Sequence, residues 1–461
     1  MREYIHEFNR ILDKFASFGS YTMQRVTNDD DATGRMDKGV TRPVEATFEP
    51  AKTPAIDRLP FYSLVTANVI SQLGNSITNL AVIWYVIETT GSAANAGFAG
   101  FFTLLPMVIA TFFGGALVDR FGRKWMSIVS DWASAVTIIM IPLLHETVGL
   151  PLWALFGLIF CGALLDAPGA TARRAMVPEL AERAGMPLER ATSAMQSVAA
   201  TVELLGPIIA GVLVATVGTT NVLFFDSATF VISALIVARV IPAMPPLVEA
   251  GGRYLDEVKE GIRFLFSRRV LVTILTAALV ANFFAAPLGG VLLPVFADEQ
   301  AWGARSLGFM FSGFGAGMIA GTILFGALSE KLQRRTWMIA SILILGIMIG
   351  LLSVASILPM AVGLIVLAGI PLGIINPVVS TVFLEKVPGE LRGRVLGATG
   401  ALSMSAAPLG MLLAGPTVEV IGVDAGFILV GSVFVLISIW LFVQPSMREI
   451  EKEIAPADAS A

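Results

Sequence analysis

GGALVDRFGRK, residues Gly114–Lys124, is a charged, glycine-containing turn set between two long apolar segments. FGALSEKLQRR, Phe325–Arg335, occupies the same place between two more, about 211 residues later. One turn used twice in a mostly apolar chain points to two related halves in a membrane. The second copy has drifted: Glu330 stands for the aspartate, Lys331 for the first arginine and Gln333 for the glycine. Further repeats share an offset of 204, pairing Gly206 with Gly410, Gly211 with Gly415, Gly218 with Gly422 and Arg190 with Arg394, while Val177-Pro178 recurs as Val387-Pro388.

Composition sets the solvent. The 461 residues are 55% hydrophobic and only 14% charged, whereas soluble domains carry about 25% charged residues. Twelve apolar windows recur, at about 61–87, 94–118, 125–144, 151–176, 192–216, 220–240, 270–293, 306–328, 336–356, 359–383, 395–420 and 424–444. Each is near the roughly 20 residues a helix needs to cross about 30 Å of hydrocarbon. With the N terminus inside, every Lys and Arg except Arg305 falls in the leader, an inner loop or the tail. That asymmetry argues for an even number of spans with both termini in the cytoplasm. The net charge of −4 says little, because the charges are partitioned by leaflet.

Several chemistries lack their parts. Cys161 is the one cysteine and lies in an apolar window, so neither a disulfide framework nor a thiolate metal site is expected. The two histidines, His6 and His145, fall in the leader and at a helix end, which leaves no His-based metal centre or nucleophilic dyad. The run from Gly313 to Gly321 mimics a dinucleotide fingerprint but sits wholly in an apolar span without a preceding strand, so small-residue helix packing accounts for it. No G-x-x-x-x-G-K-[ST] loop occurs, so uphill work must draw on an ion gradient. We expect no cofactor, no metal, no nucleic acid and no enzymatic activity. The first window follows about 60 polar residues, which rules out a cleavable signal peptide there.

The organisation we expect is a leader at 1–58, a six-helix bundle at 59–240, a connector at 241–269, a second six-helix bundle at 270–445 and a tail at 446–461. Residues 1–20 carry Ile5, Phe8, Ile11, Leu12, Phe15 and Phe18 at helical spacing. They read either as an interfacial amphipathic helix or as an unstructured leader, and 21–58 reads as disordered linker. The connector places Tyr254, Val258, Ile262, Leu265 and Phe266 among charges, an amphipathic helix on the inner surface rather than a span.

The signature turn resembles that of the major facilitator superfamily, G-x-L-x-D-R-x-G-R-[KR], between helices 2 and 3. Gly115, Leu117, Asp119, Arg120, Gly122, Arg123 and Lys124 match it position by position. Asp166-Ala-Pro-Gly-Ala with Val177-Pro178-Glu179, Glu385-Lys-Val-Pro388 with Arg392-Gly-Arg394, and LFFDSATF narrow the resemblance to the bacterial branch with macrolide-efflux, enterobactin-exporter and multidrug proteins. The resemblance implies an all-α membrane protein with twelve transmembrane helices in two pseudo-symmetric six-helix bundles. It implies a monomer in the bacterial cell membrane that exports small amphipathic compounds by proton antiport and alternating access, with a midplane cavity between the halves. A same-fold importer or lysophospholipid flippase, and a non-transporting sensor or scaffold, stay open as alternatives.

Residue roles follow from spacing and from that resemblance. In the family the signature turn latches the outward-open state, and Glu179 is the expected local partner of Arg123. Glu330, Lys331, Arg334, Glu385 and Arg394 would form the corresponding gate of the second half. Asn68, Gln72, Asn75 and Asn79 share one face of the first helix, where lipid would penalise their amides. They either line the cavity or hydrogen-bond between helices. Asp166 lies 13 residues before Glu179, roughly 19 Å deeper at 1.5 Å per residue. Glu203 is central in the fifth span. Each is a candidate for proton coupling or cation binding, expected to be paired or protonated, against a purely structural hydrogen bond. Asp131 should pair with a nearby arginine, and Asp226 reads as structural. Gly206-Pro207 and Gly211 resemble a shortened antiporter helix-5 motif with a bend, Val202 and Ala210 replacing two of its glycines. Phe101, Phe102 and Phe284 are wall candidates, although aromatics in spans more often pack.

Overall fold

The computed structural model describes residues 56–244, 254–328 and 333–451. The 1–20 amphipathic reading and the gate residues Glu330 and Lys331 lie outside the described residues. Among the described residues, eleven helices are long and apolar enough to cross a membrane. A twelfth, α1 (Leu59–Thr90), has the length at 32 residues, and its face of amides lowers its mean hydropathy. Together these make the twelve spans that the sequence predicts.

The spans follow in order as α1, α2 (Ala93–Phe121), α3 (Arg123–Thr147), α4 (Leu152–Arg183), α5 (Leu188–Val217) and α6 (Thr219–Val240). After the short connector helix α7 (Tyr254–Ser267) come α8 (Arg269–Glu299), α9 (Gly303–Leu328), α10 (Arg334–Val354), α11 (Leu358–Lys386), α12 (Gly389–Ile421) and α13 (Val423–Val443). Gly122 takes φ 84, a conformation that β-carbons disfavour, and so ends α2 and opens α3 without an intervening loop. The spans are not all regular. Leu288–Leu292 in α8 is a π segment following Pro287, and α12 breaks at Ser405–Ala406 between Arg392–Met404 and Ala407–Ile421.

The halves meet closely at one end. A Cβ on Gly97 of α2 would lie 2.7 Å from the Met411 carbonyl of α12, and one on Gly211 of α5 would lie 2.9 Å from the Ala304 carbonyl of α9. These are backbone contacts that only the smallest residue permits. Met411 itself lies between Gly100 of α2 and Gly290 of the π segment, its methyl against both. All these contacts lie toward the end of the bundle opposite the Gly122 turn. At the signature end a Cβ on Gly115, Gly326, Gly397 or Gly400 would meet nothing within 4 Å among the described residues. Leu117, Phe121 and Leu396 are exposed there. Among the described residues, the halves therefore close on each other at the far end and make no such glycine contacts at the signature end.

One reading of the sequence is corrected. Arg173, which the charge pattern places with the loop cations, falls inside the fourth window and is 1% exposed within α4, paired with Asp131. It is an interior charge, not a topogenic one.

Candidate functional site

Among the described residues, the side-chain partners of the signature turn all lie in its own half. Arg123 Nη1 donates to the Ala175 carbonyl at 2.8 Å and Nη2 lies 3.5 Å from Glu179 Oε2, while Lys124 Nζ donates to the Ala238 carbonyl at 2.9 Å. Glu179 is shared with Arg183 at 3.3 Å. Asp119 has no side-chain partner among the described residues, and Arg120 lies over the Phe121 ring. In the second half Arg334 pairs with Glu385, joining α10 to α11 as Arg123 and Glu179 join α3 to α4. Arg394 pairs with Glu260 of the connector helix at 2.5 Å, and Gly261 packs on the Arg394 backbone. That contact ties α7 to the signature end of α12.

Above the turn, the interior of the first half holds a charge cluster. Asp131 is 0% exposed. Its Oδ1 accepts from Arg173 Nη1 at 2.9 Å and from Ser71 Oγ at 3.4 Å, and its Oδ2 from Ser233 Oγ at 2.7 Å. Arg173 Nη2 reaches Ser71 Oγ at 3.1 Å. One ion pair thus connects α1, α3, α4 and α6, and Gly169 lets α3 and α4 approach beside it, since a Cβ there would lie 2.5 Å from Ser130. Burying a charge is tolerable only with such partners.

Asp166 sits one layer deeper on α4. Its Oδ2 accepts from Asn75 Nδ2 at 3.0 Å, whereas Oδ1 is sealed from solvent with no partner among the described residues. Asp226 accepts from Thr78 and, at 3.2 Å, from Thr229, joining α6 to α1. The helix-1 amides divide: Asn68 is buried, Gln72 and Asn75 are half-buried, and Asn79 is exposed.

Glu203 differs from its expectation. It is exposed, with no side-chain partner among the described residues. Around α5 it falls between Gly206, which packs on Ser76 of α1, and Gly211, which packs on α9, so it looks into the space between the halves. Pro207 lies inside one continuous helix, its carbonyl against Gly308; Gly206, Pro207 and Gly211 are close-packing points. Phe102 stacks on Phe156 at 5.4 Å and touches Phe101, so these rings pack α2 on α4. Phe284 pairs with Phe283 at 5.0 Å.

Sequence reasoning missed three groups. Arg173, Ser71 and Ser233 complete the Asp131 cluster; the available signal was an arginine seven residues after Asp166, on the same helix face. Glu419 of α12 was also overlooked. Its Oε1 accepts from Ser92 Oγ at 2.6 Å and from the Ala94 backbone N–H at 3.1 Å, capping the first turn of α2 across the closed end. The third is a cavity of about 740 Å³ inside the second half.

Comparison with known proteins places this architecture. The family model for transmembrane secretion effectors, MFS_3, matches residues 53–460. The chain is 32% identical over 412 residues to the multidrug efflux pump Tap of Mycolicibacterium fortuitum, covering 87% of this chain and 99% of that protein. It is 26% identical over 405 residues to macrolide efflux protein A of Streptococcus pyogenes, covering 86% and 97%. The fold matches the crystal structure of the nucleoside transporter NupG with a TM-score of 0.68 at 15% identity, over 84% of this chain and 99% of that one. Twelve spans, a repeated signature turn and a match over nearly the whole described chain agree: this protein belongs to the transmembrane secretion effector family of the major facilitator superfamily, in its drug and macrolide efflux branch.

Proposed function

We propose that the protein exports small amphipathic compounds across the bacterial cell membrane by proton antiport and alternating access, with the signature turn and both termini in the cytoplasm. In this reading the structure is the inward-open state. Substrate enters between the halves at the signature end. Outward opening breaks the far-end contacts, including the Glu419 cap, and brings the unpartnered Asp119 against the other half. Two rigid packings of one interface make such a switch bistable.

The observation that carries proton coupling is Asp166. A carboxylate within a span, with one oxygen on Asn75 and the other sealed and unpartnered, gains from a proton, which converts the bare oxygen into a hydroxyl and removes an interior charge. Glu203, facing the space between the halves, is a carboxylate that a cationic substrate would meet inside that space. The polar groups of α1 would line the path. The relatives named as multidrug and macrolide efflux pumps support export over import.

The test is ethidium efflux from cells lacking other pumps, with and without a protonophore. Wild type should expel the dye only while the gradient stands. Asp166→Asn should lower gradient-driven efflux at least tenfold while still binding ethidium. Undiminished, protonophore-sensitive efflux in the Asp166→Asn, Glu203→Gln double variant would remove the assignment. Gradient-driven accumulation instead of expulsion would make the protein an importer.

A further inference from the structure

The second half borders a partly open pocket of about 740 Å³ lined by α8, α9, α10, α11 and α13. Protein interiors are packed as tightly as organic crystals and rarely leave voids beyond a few waters. Pockets that hold drug-sized ligands run to about 300–1,000 Å³. The room comes from small residues on one face of α8, among them Ala278, Ala281 and Ala285, facing Ile342 of α10, Asn376 of α11 and Ile437 of α13.

The chemistry of the wall is specific. No ionisable residue lines it, so a charged group would enter without a counter-charge and at high cost. Its polar side chains are Asn282, Asn376 and Ser380. Asn282 spends one N–H on the Ala278 carbonyl at 2.8 Å. Asn376 and Ser380 are exposed and have no side-chain partner among the described residues, so their hydrogen-bonding capacity faces the space.

We propose that this cavity binds the apolar body of the exported molecule, an uncharged aromatic or aliphatic portion of drug size, with its hydrogen-bonding end on Asn282, Asn376 and Ser380. This rests on the export reading and adds to it the site and the substrate class. Charge on the substrate is left to the first half, where the carboxylates are. The cavity selects hydrocarbon bulk, and the amide and hydroxyl groups orient it.

Nile red, neutral and brighter in apolar surroundings, is the probe, titrated into the full chain in phosphatidylcholine nanodiscs. Ala281→Leu fills the space and Ile342→Asp makes it hydrophilic. Each should weaken Nile red binding at least tenfold and raise the KM for its efflux, with an unchanged elution profile. Ala281→Ser keeps the volume and should retain affinity within about threefold, which guards against a misfolded Leu variant. Unaltered affinity in both Ala281→Leu and Ile342→Asp would overturn the site. Native mass spectrometry supplies the other arm: a phospholipid held by wild type, lost in Ala281→Leu and not displaced by Nile red would make the occupant a bilayer lipid and overturn the substrate assignment. The two readings fail separately. A pump whose Nile red efflux needs Asp166 but ignores the cavity variants loses only the cavity. A protein that binds Nile red in the cavity and expels nothing loses only export.

Discussion

The two halves repeat one backbone and fill it in opposite ways. The signature turns lie 211 residues apart, and at that offset Asp131 of α3 corresponds to Ile342 of α10. The offset of 204 that relates Gly218 to Gly422 carries Ser233 to Ile437, and the offset of 210 that relates Val177 to Val387 carries Arg173 to Phe383 and Asp166 to Asn376. The ion pair and its serine in the first half are hydrocarbon in the second, and the midspan aspartate becomes an amide. Ile342, Ile437 and Asn376 all line the cavity. Where the first half draws four helices onto a buried charge, the second leaves a space. Duplication fixes helix positions, while the interior of each copy is free to specialise.

The largest break in this comparison is Arg173→Met. It leaves Asp131 buried without its cation, a change that costs about 3–5 kcal/mol in comparable sites. Little folded protein should reach the membrane, as read by fluorescence-detected chromatography of the tagged chain. Asp131→Leu with Arg173→Met should recover most of it, because an ion pair exchanged whole for hydrocarbon is often close to neutral. The double variant would make the first half resemble the second. Failure of that recovery would mean the cluster does more than fill space.

Next in size is the seam between the halves at the closed end. Gly211→Val forces side-chain atoms toward the Ala304 carbonyl, already 2.9 Å from an ideal Cβ. Overpacking of this kind costs about 1–3 kcal/mol. Here the molecule can relieve it by separating the halves, so the population should move toward the far-end-open state by roughly 5–150-fold. A cysteine at Ala304 should become more reactive toward a membrane-impermeant maleimide added outside, and one at Leu117 less so from inside. Gly115→Val, where nothing lies within 4 Å, should shift neither. Equal effects at both glycines would dissolve the distinction between a closed and an open end.

What was legible in the sequence follows the range of each interaction. Hydrophobic windows and positive charge are local or cumulative properties, so eleven spans and the Gly122 turn could be read directly. The first span was found although its amides dilute it. The π segment at Leu288–Leu292 and the break at Ser405–Ala406 were not, because a helix that loses its regularity keeps its hydropathy. Contacts between distant segments were harder still. Glu179 was matched to Arg123 because both sit at the same helix ends. Arg173 was counted as a loop cation because hydropathy windows give no depth for a charge near their edge. Glu203 was read as buried from its place along α5, whereas its exposure is set by rotation about the axis and by the gap between halves. The cavity had no signal at all, since alanines in an apolar span read alike whether packed or bordering empty space.

Glu419 gives the smallest effect and the finest test of which end is held shut. Its carboxylate accepts from Ser92 Oγ and the Ala94 N–H, at the positive end of α2. A carboxylate in such a place contributes about 0.3–1 kcal/mol through the helix dipole, and a lost capping interaction typically costs about 1 kcal/mol. Glu419→Gln keeps the shape and an acceptor oxygen but removes the charge, so the closed end should loosen by about 1 kcal/mol, roughly a fivefold change in the two-state ratio. Ser92→Ala removes the hydroxyl and should act in the same direction. The two contacts share one carboxylate oxygen, so the double variant should fall short of the sum. The readout is the maleimide reactivity at position 304, which should rise in each variant with thermal stability nearly unchanged. If reactivity stayed level while stability fell, Glu419 would be a cap that holds α2 together and not a bar across the gate.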